Sequence, residues 1–559
     1  MKDESVDTFT FVSSREEYTL LSPVDKKLPK IRIKTRKLSK LTGKYVLIAV
    51  DDWPIDSKYP NGHFISIVGE NSDWRSNIEC ILLSHSISRK KFSPEALACL
   101  PALENPGVPW EASDGTGRVD LRSHRDVFSV DPPGCVDIDD AMSVHWLKAG
   151  HIEVGVHIAD VTAFIQQGSP LDIEAQSRGT SVYLSNERID MIPSIISGNM
   201  ASLIGNRDRY AVTVIWVIKI TRKDGTLVNE TDDVLQLYDN DDLILEFTCE
   251  CSWAGRTIIK SIAAMTYQQG HNLVNKLNPG PENPPTNICE AGQLISQKLW
   301  GKLTKDLKIL TIVSRYLKKK RSGNHALDFS KSGDTQIRFH LDSNGLPVSF
   351  KAKESLEIHE TIAELMILAN STVCSLIYNH LPNSTLVRIH PPPTVDKILS
   401  FIELASSLGV NLVDKNELSV NIKSLASIPE KIISSSNNDS KIMQLLTSMF
   451  IKCMNQAKYT SSGSLTGVLT VSDDDIASEP SHHLLGHLGL GLSKYTHFTS
   501  PIRRYADIIV HRQLLSILSL NPVEASCPDI YASKSKFSNT DDCAVSQVPN
   551  DITSSSLSG

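Results

Sequence analysis

The stretch DPPGCVDIDD carries four aspartates, Asp131, Asp137, Asp139 and Asp140, within ten consecutive positions, interleaved with Pro132, Pro133 and Gly134. The prolines and the glycine prevent a regular helix. Carboxylates this crowded repel and raise one another's pKa, an arrangement that a divalent cation relieves. A metal site is one reading; an exposed acidic turn is the other, since Asp favours turns for its own local hydrogen bonds. A calcium EF-hand loop begun at Asp137 needs Asp or Asn at position 141 and Gly at 142, and fails at Ala141 and Met142. A haloacid-type phosphatase would take Asp137 as nucleophile after a buried strand, but Ala141 stands where Thr is needed and a Pro-Gly turn replaces the strand. The spacing D-x5-D-x-D-D suits a third pattern, hard oxygen ligands holding one or two Mg²⁺ ions for phosphodiester hydrolysis.

A second chemical segment is LSKYTHFTSPIRRYADIIVHRQLL, residues 492–515. Ser500-Pro501 predicts a helix start by N-cap and first-turn logic, with Arg503, Arg504, Tyr505, His511 and Arg512 following. Two adjacent arginines near a helix start make a phosphate clamp. An Arg503–Asp507 pair at i, i+4 on a surface helix is the competing reading.

The elements that would position these residues can be sketched from pattern. The 559 residues allow two to four domains, with 40% hydrophobic and 22% charged content typical of a globular chain. No run approaches the ~18 consecutive apolar residues of a membrane span, and MKDESVDTFT lacks the layout of a secretory signal, which points to an intracellular chain with no membrane partner. The ten cysteines are scattered and form no paired C-x-x-C set. A net charge of −7 does not advertise a nucleic-acid binder, but Lys26–Lys44 holds nine Lys/Arg and no acid. Within it Lys30, Arg32 and Lys34 alternate with Ile31 and Ile33, as in a strand with one basic face suited to a phosphate backbone, or a solvated edge strand kept soluble by its lysines. YVLIAVDDWP, YPNGHFISIVG and IECILLSHSI read as β runs of a small barrel ending near Phe92.

Residues 126–225 read as α/β, with strands at 126–130, 151–158 and 211–220 and a helix near 171–178. The stretch 231–250, with seven Asp/Glu and no base, reads as a surface excursion, and 361–380 as a core helix. Segments 434–440 and 472–482 read as loops, and the serine-rich end as a disordered tail.

Taken together, DPPGCVDIDDA, GVHIADVTAFIQQGSPLDIEAQSRGTSVYL, MIPSIISGNMASLIGNRDRYAV, WAGRTIIKS and YTHFTSPIRRYADIIVHRQL resemble, in order and spacing, the catalytic RNB domain of the ribonuclease II family. SPVDKKLPKIRIKT and YPNGHFISIVG resemble the cold-shock OB domain that precedes RNB in the exosome branch, and RIHPPP adds to that likeness. The resemblance implies a mixed α/β chain: a remnant or linker at 1–22, a β-barrel OB (cold-shock) domain at 23–115, a large mixed α/β RNB domain at 120–525 with an acidic insertion near 226–250, and a tail at 526–559. It implies that Asp131 and Asp140 ligate Mg²⁺ (one or two ions, with Mn²⁺ able to substitute), that catalysis depends most on Asp139, and that Asp137 supports the cluster. It assigns Arg503 to the scissile phosphate and Tyr183 to stacking on the 3′-terminal base, where an aromatic in a β run would otherwise be read as core. Arg504, Lys30, Arg32 and Lys34 are further RNA-binding candidates.

The activity implied is processive 3′-to-5′ hydrolysis of single-stranded RNA to nucleoside 5′-monophosphates, in the cytoplasm with the nucleus not excluded, with the exosome core as a partner. Two departures stand out: Ala201-Ser202-Leu203 where the family has Cys-Ser-Leu, and His487-Leu488 where an aromatic often follows the histidine. The family pattern also continues beyond Leu515, so a shortened C-terminus is expected. The competing reading is an RNA-binding or regulatory protein in which that end leaves little or no activity.

Overall fold

The computed structural model describes residues 18–35, 38–101, 110–114, 117–248, 253–275, 297–324, 326–327, 337–342, 347–352, 356–412, 422–435, 440–466 and 485–520. The chain divides at Ser93/Pro94 into two compact units.

The smaller unit is a four-stranded sheet of β1 (Tyr18–Leu21), β2 (Ile31–Lys34), β3 (Lys44–Asp52) and β4 (Asn61–Glu70), in the order β1-β2-β4-β3. Its β2–β4 pair is parallel and the others are antiparallel. Alternation in β2 buries Ile31 and Ile33 with Leu21 and Leu41, and turns Lys34 outward. Strand β1 lies inside the segment read from sequence as a preceding remnant, yet it pairs along its full length with β2. IECILLSHSI is not a strand: most of it lies in α1 (Trp74–Ser84). Asp73 caps that helix by accepting from the amides of Arg75 and Ser76, a local signal that outweighs β propensity.

The larger unit is built on a seven-stranded sheet. Strands β5 (Val119–Asp120), β6 (Val127–Asp131), β7 (Asp140–Lys148) and β8 (His151–Ala159) precede the short hairpin β9 (Val182–Tyr183) and β10 (Arg188–Ile189); the long β11 (Asp208–Arg222), β12 (Leu243–Phe247) and β13 (Trp253–Thr266) follow. β11 pairs with β8 on one side and with β13 on the other, and β13 pairs with β6, which pairs with β7 and then β8. The ring β6-β7-β8-β11-β13 is therefore a closed five-stranded barrel, with β12 and β5 as extensions. Closure removes the free edges a sheet this apolar would expose. The acidic excursion is part of this sheet: β12 continues the ladder beside β11, and Val234 and Leu245 enter the core. The domain boundary also falls earlier than expected, because Trp110 packs edge-on against Phe164 and Tyr210, and the Ala112 amide donates to the Asp208 carbonyl.

Helices cover the barrel. Glu357–His380 is long and apolar enough to cross a membrane by length and composition; here it places Ile358, Leu365, Ala369, Val373 and Ile377 in the same core as Phe128 and Trp216. Helix Gln297–Gly323 packs on it, joined by the pairs Arg315–Glu357, Lys318–Glu360 and Arg321–Glu364. The last described helix starts at Tyr505, not at Ser500, and runs to Leu520. The loop 472–482, most of 434–440 and the tail 526–559 lie outside the described residues.

Candidate active site

The acidic turn closes the connection between two barrel strands, since β6 ends on Asp131 and β7 begins on Asp140. Gly134 takes a left-handed φ of 78°, which the Pro-Pro-Gly sequence accommodates. Buried Ser202 staples the turn from outside: its Oγ donates to the Val136 carbonyl at 2.8 Å and accepts from the Ile138 amide at 3.0 Å. The amides of Leu203 and Ala159 donate to the carbonyls of Ile138 and Asp139. A rigid backbone thus holds the carboxylates where their own repulsion would spread them.

Asp139 is only 4% exposed. Its Oδ1 accepts from the Ile502 amide at 2.8 Å, and its Oδ2, without a hydrogen bond, faces Arg503 Nε at 3.5 Å. Burial raises its pKa well above the carboxylate range, opposed by Arg503 and the Ile502 amide. Burial, with the charges of Asp140 and Asp137 adding, pushes Asp131 up to about 8, and burial pushes Asp140 up to about 6 against the pull of Arg503 and Arg504. Asp131 Oδ2 is a second buried oxygen without a partner. Orphaned hard oxygens and reluctantly ionised carboxylates are what a cation of the Mg²⁺ type satisfies. Asp137 is engaged otherwise: its Oδ1 pairs with Arg188 Nη1 at 2.6 Å and its Oδ2 accepts from the Tyr183 hydroxyl. Among the described residues no three His, Cys, Asp or Glu side chains converge as a ready-made cage.

These shifts fix a pH dependence. Raised carboxylate pKa values mean the folded chain keeps protons the unfolded chain has released, so their contribution to stability falls as pH climbs from about 4 through about 8. His157 and His487, pushed down by burial to about 3 and about 4, act in the opposite sense; unfolded His titrates near about 6.5, so above that their contribution is constant. A cation held by Asp131 and Asp140 would have to displace protons from them. If Mg²⁺ binds there, the rise in melting temperature it causes should grow between about pH 6 and about pH 8. A Mg²⁺ effect that shrinks over that range would remove these carboxylates from the binding group.

Two distant segments complete the site. Buried Asn370 accepts from the Phe498 amide at 2.7 Å and donates to Tyr495 Oη at 3.1 Å, fixing the approach to Ser500. The Ser500 carbonyl then accepts from the amides of Arg503 and Arg504, forming a turn in place of the predicted first helical turn. The turn splits the two arginines. Arg503 stays 46% exposed beside Asp139, with Nη2 donating to Ser500 Oγ at 2.9 Å. Arg504, expected beside it as a clamp, turns inward onto Asp507 at 2.8 Å. The competing reading of an Arg503–Asp507 pair is not found; Arg504 pairs with Asp507 instead. The Arg503 carbonyl accepts from the Ser181 amide and from Thr180 Oγ1, and the Tyr505 amide donates to the Gly179 carbonyl, which carries β9 to the site. Tyr183 is not core: it is 52% exposed.

His511 and Arg512 lie inside, on the Phe498 carbonyl and Asp172 respectively. Sequence reasoning missed Arg188 and Asn370, and also Tyr267, whose hydroxyl pKa is raised by burial and by the Asp140 and Asp131 charges. Spacing gave no signal for them, because the partners that place them at the site, such as Asp137 for Arg188 and Phe498 for Asn370, are far away in the chain. In the smaller unit, Arg32 and Lys34 lie over the Tyr18 ring, at 5.9 and 5.8 Å from its centroid, and Lys30 immediately precedes their strand.

The RNB domain model matches residues 118–520, and the model of the Dis3-like cold-shock domain 2 matches residues 18–86. The exosome complex exonuclease RRP44 of Mus musculus is 36% identical over 498 residues, 89% of this chain and 44% of that protein. The chain therefore spans less than half the length of this curated relative. Among solved structures, the apo form of Mycoplasma genitalium RNase R aligns with a TM-score of 0.63 at 21% identity, over 88% of this chain and 65% of that one. Yeast Ssd1, described as a pseudonuclease, aligns with a TM-score of 0.62 at 22% identity, over 93% of this chain and 55% of that one. Both show the same fold.

Proposed function

The chain belongs to the RNB-domain family, and on that premise we propose that it is a Mg²⁺-dependent hydrolytic exoribonuclease, shortening single-stranded RNA from its 3′ end to nucleoside 5′-monophosphates. The observation that carries this reading is the meeting of buried Asp139, whose Oδ2 has no hydrogen bond, with the half-exposed guanidinium of Arg503 at 3.5 Å. Asp131, Asp139 and Asp140 are the residues to hold the cation, with Asp137 beside them. When bound, a divalent ion supplies charge that polarises the scissile phosphodiester and acidifies the attacking water. Arg503 stabilises negative charge on the phosphate as the bond breaks, and the Ser500 hydroxyl holds its side chain. Exposed Tyr183 offers a ring to the terminal base, and the basic face of Lys30, Arg32 and Lys34 offers phosphate contacts. Association with an exosome core is part of the proposal, supported by the name of the mouse relative; a place in cytoplasmic RNA decay is proposed with it.

The test is incubation with 5′-labelled single-stranded RNA in Mg²⁺ or in EDTA. Progressive shortening only with Mg²⁺ supports the enzyme; binding without cleavage in either condition supports an RNA-binding or regulatory protein without nuclease activity, and a yeast protein of the same fold is described as a pseudonuclease. Tyr183→Ala adds a second check. Loss of a stacking contact of about 1–3 kcal/mol per base should leave a longer final product while Mg²⁺-dependent cleavage persists. Identical end-product lengths would leave Tyr183 with only its bond to Asp137.

A further inference from the structure

Arg188 stands directly opposite Tyr183 in the β9–β10 hairpin. Its guanidinium has two anchors, Nη1 on Asp137 Oδ1 and Nε on Asp190 Oδ1, both at 2.6 Å. The Tyr183 hydroxyl holds the other oxygen of Asp137. Asp137 is thus the one carboxylate of the acidic turn with both oxygens engaged by donors from the hairpin. The hairpin is itself pinned, its Leu184 amide donating to the Glu187 carbonyl and its Met191 amide to Ser181 Oγ.

We propose that Arg188, steadied by Asp190, is a positioning residue that holds Asp137 against Tyr183 and competes with the cation for the acidic turn. The inference rests on the metal reading given above. Tyr183 and Arg188 are cross-strand neighbours that both hold Asp137, so the hairpin couples the aromatic ring offered to RNA with the acidic turn. A guanidinium beside a divalent-ion site opposes the ion by ordinary Coulomb repulsion and withholds a ligand from it. Releasing Asp137 would at once strengthen the cation site and free the Tyr183 hydroxyl.

Binding of Mn²⁺ to the full chain, followed by electron paramagnetic resonance without RNA, tests this independently of activity. Arg188→Gln removes the competing charge and is expected to tighten Mn²⁺ binding about tenfold. Arg188→Lys keeps the charge and should stay within about twofold of the native chain, while losing the two-point grip. Asp190→Asn leaves the guanidinium to Asp137 alone and should weaken binding about threefold. Opposite signs from two changes in one hairpin are not what a purely structural role produces. Final product length is the second readout: it should lengthen in Arg188→Gln, and not additively with Tyr183→Phe. Mn²⁺ binding in Arg188→Gln equal to or weaker than native overturns the proposal; if that variant does not fold, tighter or unchanged binding in Asp190→Asn does so. Absence of Mn²⁺ binding in every form would remove the metal reading together with this one. The expected Mn²⁺ shifts without any RNA shortening would sustain the role of Arg188 and remove only the exonuclease reading.

Discussion

Asp139→Asn is expected to slow RNA shortening by about three orders of magnitude, or about 4 kcal/mol of transition-state stabilisation, with the fold retained. The substitution keeps shape, and the asparagine oxygen can still accept from the Ile502 amide that now donates to Oδ1. What disappears is the charge on a carboxylate buried to 4% exposure, whose Oδ2 faces Arg503 without a hydrogen bond. Burial already disfavours ionisation there, so the neutral side chain should not lower the metal-free melting temperature. It should abolish most of the Mg²⁺-induced rise and leave RNA affinity equal or higher, because one anion no longer repels phosphate. Thermal unfolding with and without Mg²⁺, alongside single-turnover shortening of labelled RNA, separates these effects. Native turnover in the variant would remove Asp139 from the chemistry; a collapsed melting temperature would recast it as a structural acid.

How far this site could be read from sequence depended on how local its determinants are. The acidic turn was readable because Pro132, Pro133 and Gly134 exclude a helix and the aspartate spacing is confined to ten residues. Three of the five barrel strands were readable, β6, β8 and β11: β8 from the alternation of Ile152, Val154, Val156 and Ile158, and β11 from the run Val214-Ile215-Trp216, all buried; β7 and β13 were not. The misread segments are those where tertiary partners decide. Val234 and Leu245 look like punctuation in an acidic loop until β12 finds β11. The apolar run around Ile81 carries no helix signal stronger than the cap at Asp73. The exposure of Tyr183 depends on the Arg503 carbonyl, more than three hundred residues away, which accepts from the neighbouring Thr180 and Ser181. Period and spacing cannot register contacts at that separation.

The adjacent arginines give the sharpest division between chemistry and architecture. In sequence they are equivalent, two guanidinium groups after Ser-Pro-Ile. The turn at Ser500 sends one outward and one inward. Arg503→Ala removes a half-exposed side chain whose charged partner is 3.5 Å away. Only the arginine end of this pair is exposed, but burial already disfavours ionisation of Asp139, which can take up a proton when Arg503 is lost, so stability should change by about 1 kcal/mol or less. Turnover should fall by about 10²–10³, the usual cost of deleting a preorganised donor aimed at developing charge. Arg503→Lys should recover only part of that loss, since an ammonium lacks the planar fork. Arg504→Ala strands Asp507, fully buried, one oxygen without a partner and the other shared with the Ser500 amide. Breaking a buried pair from one side costs on the order of 3 kcal/mol, so this variant should melt at lower temperature and lose activity only as its fold loosens. Measuring melting temperature and single-turnover rate for both variants distinguishes the roles. A destabilised Arg503→Ala beside a stable but slow Arg504→Ala would exchange them, and would mean that the inward guanidinium leaves Asp507 when RNA arrives.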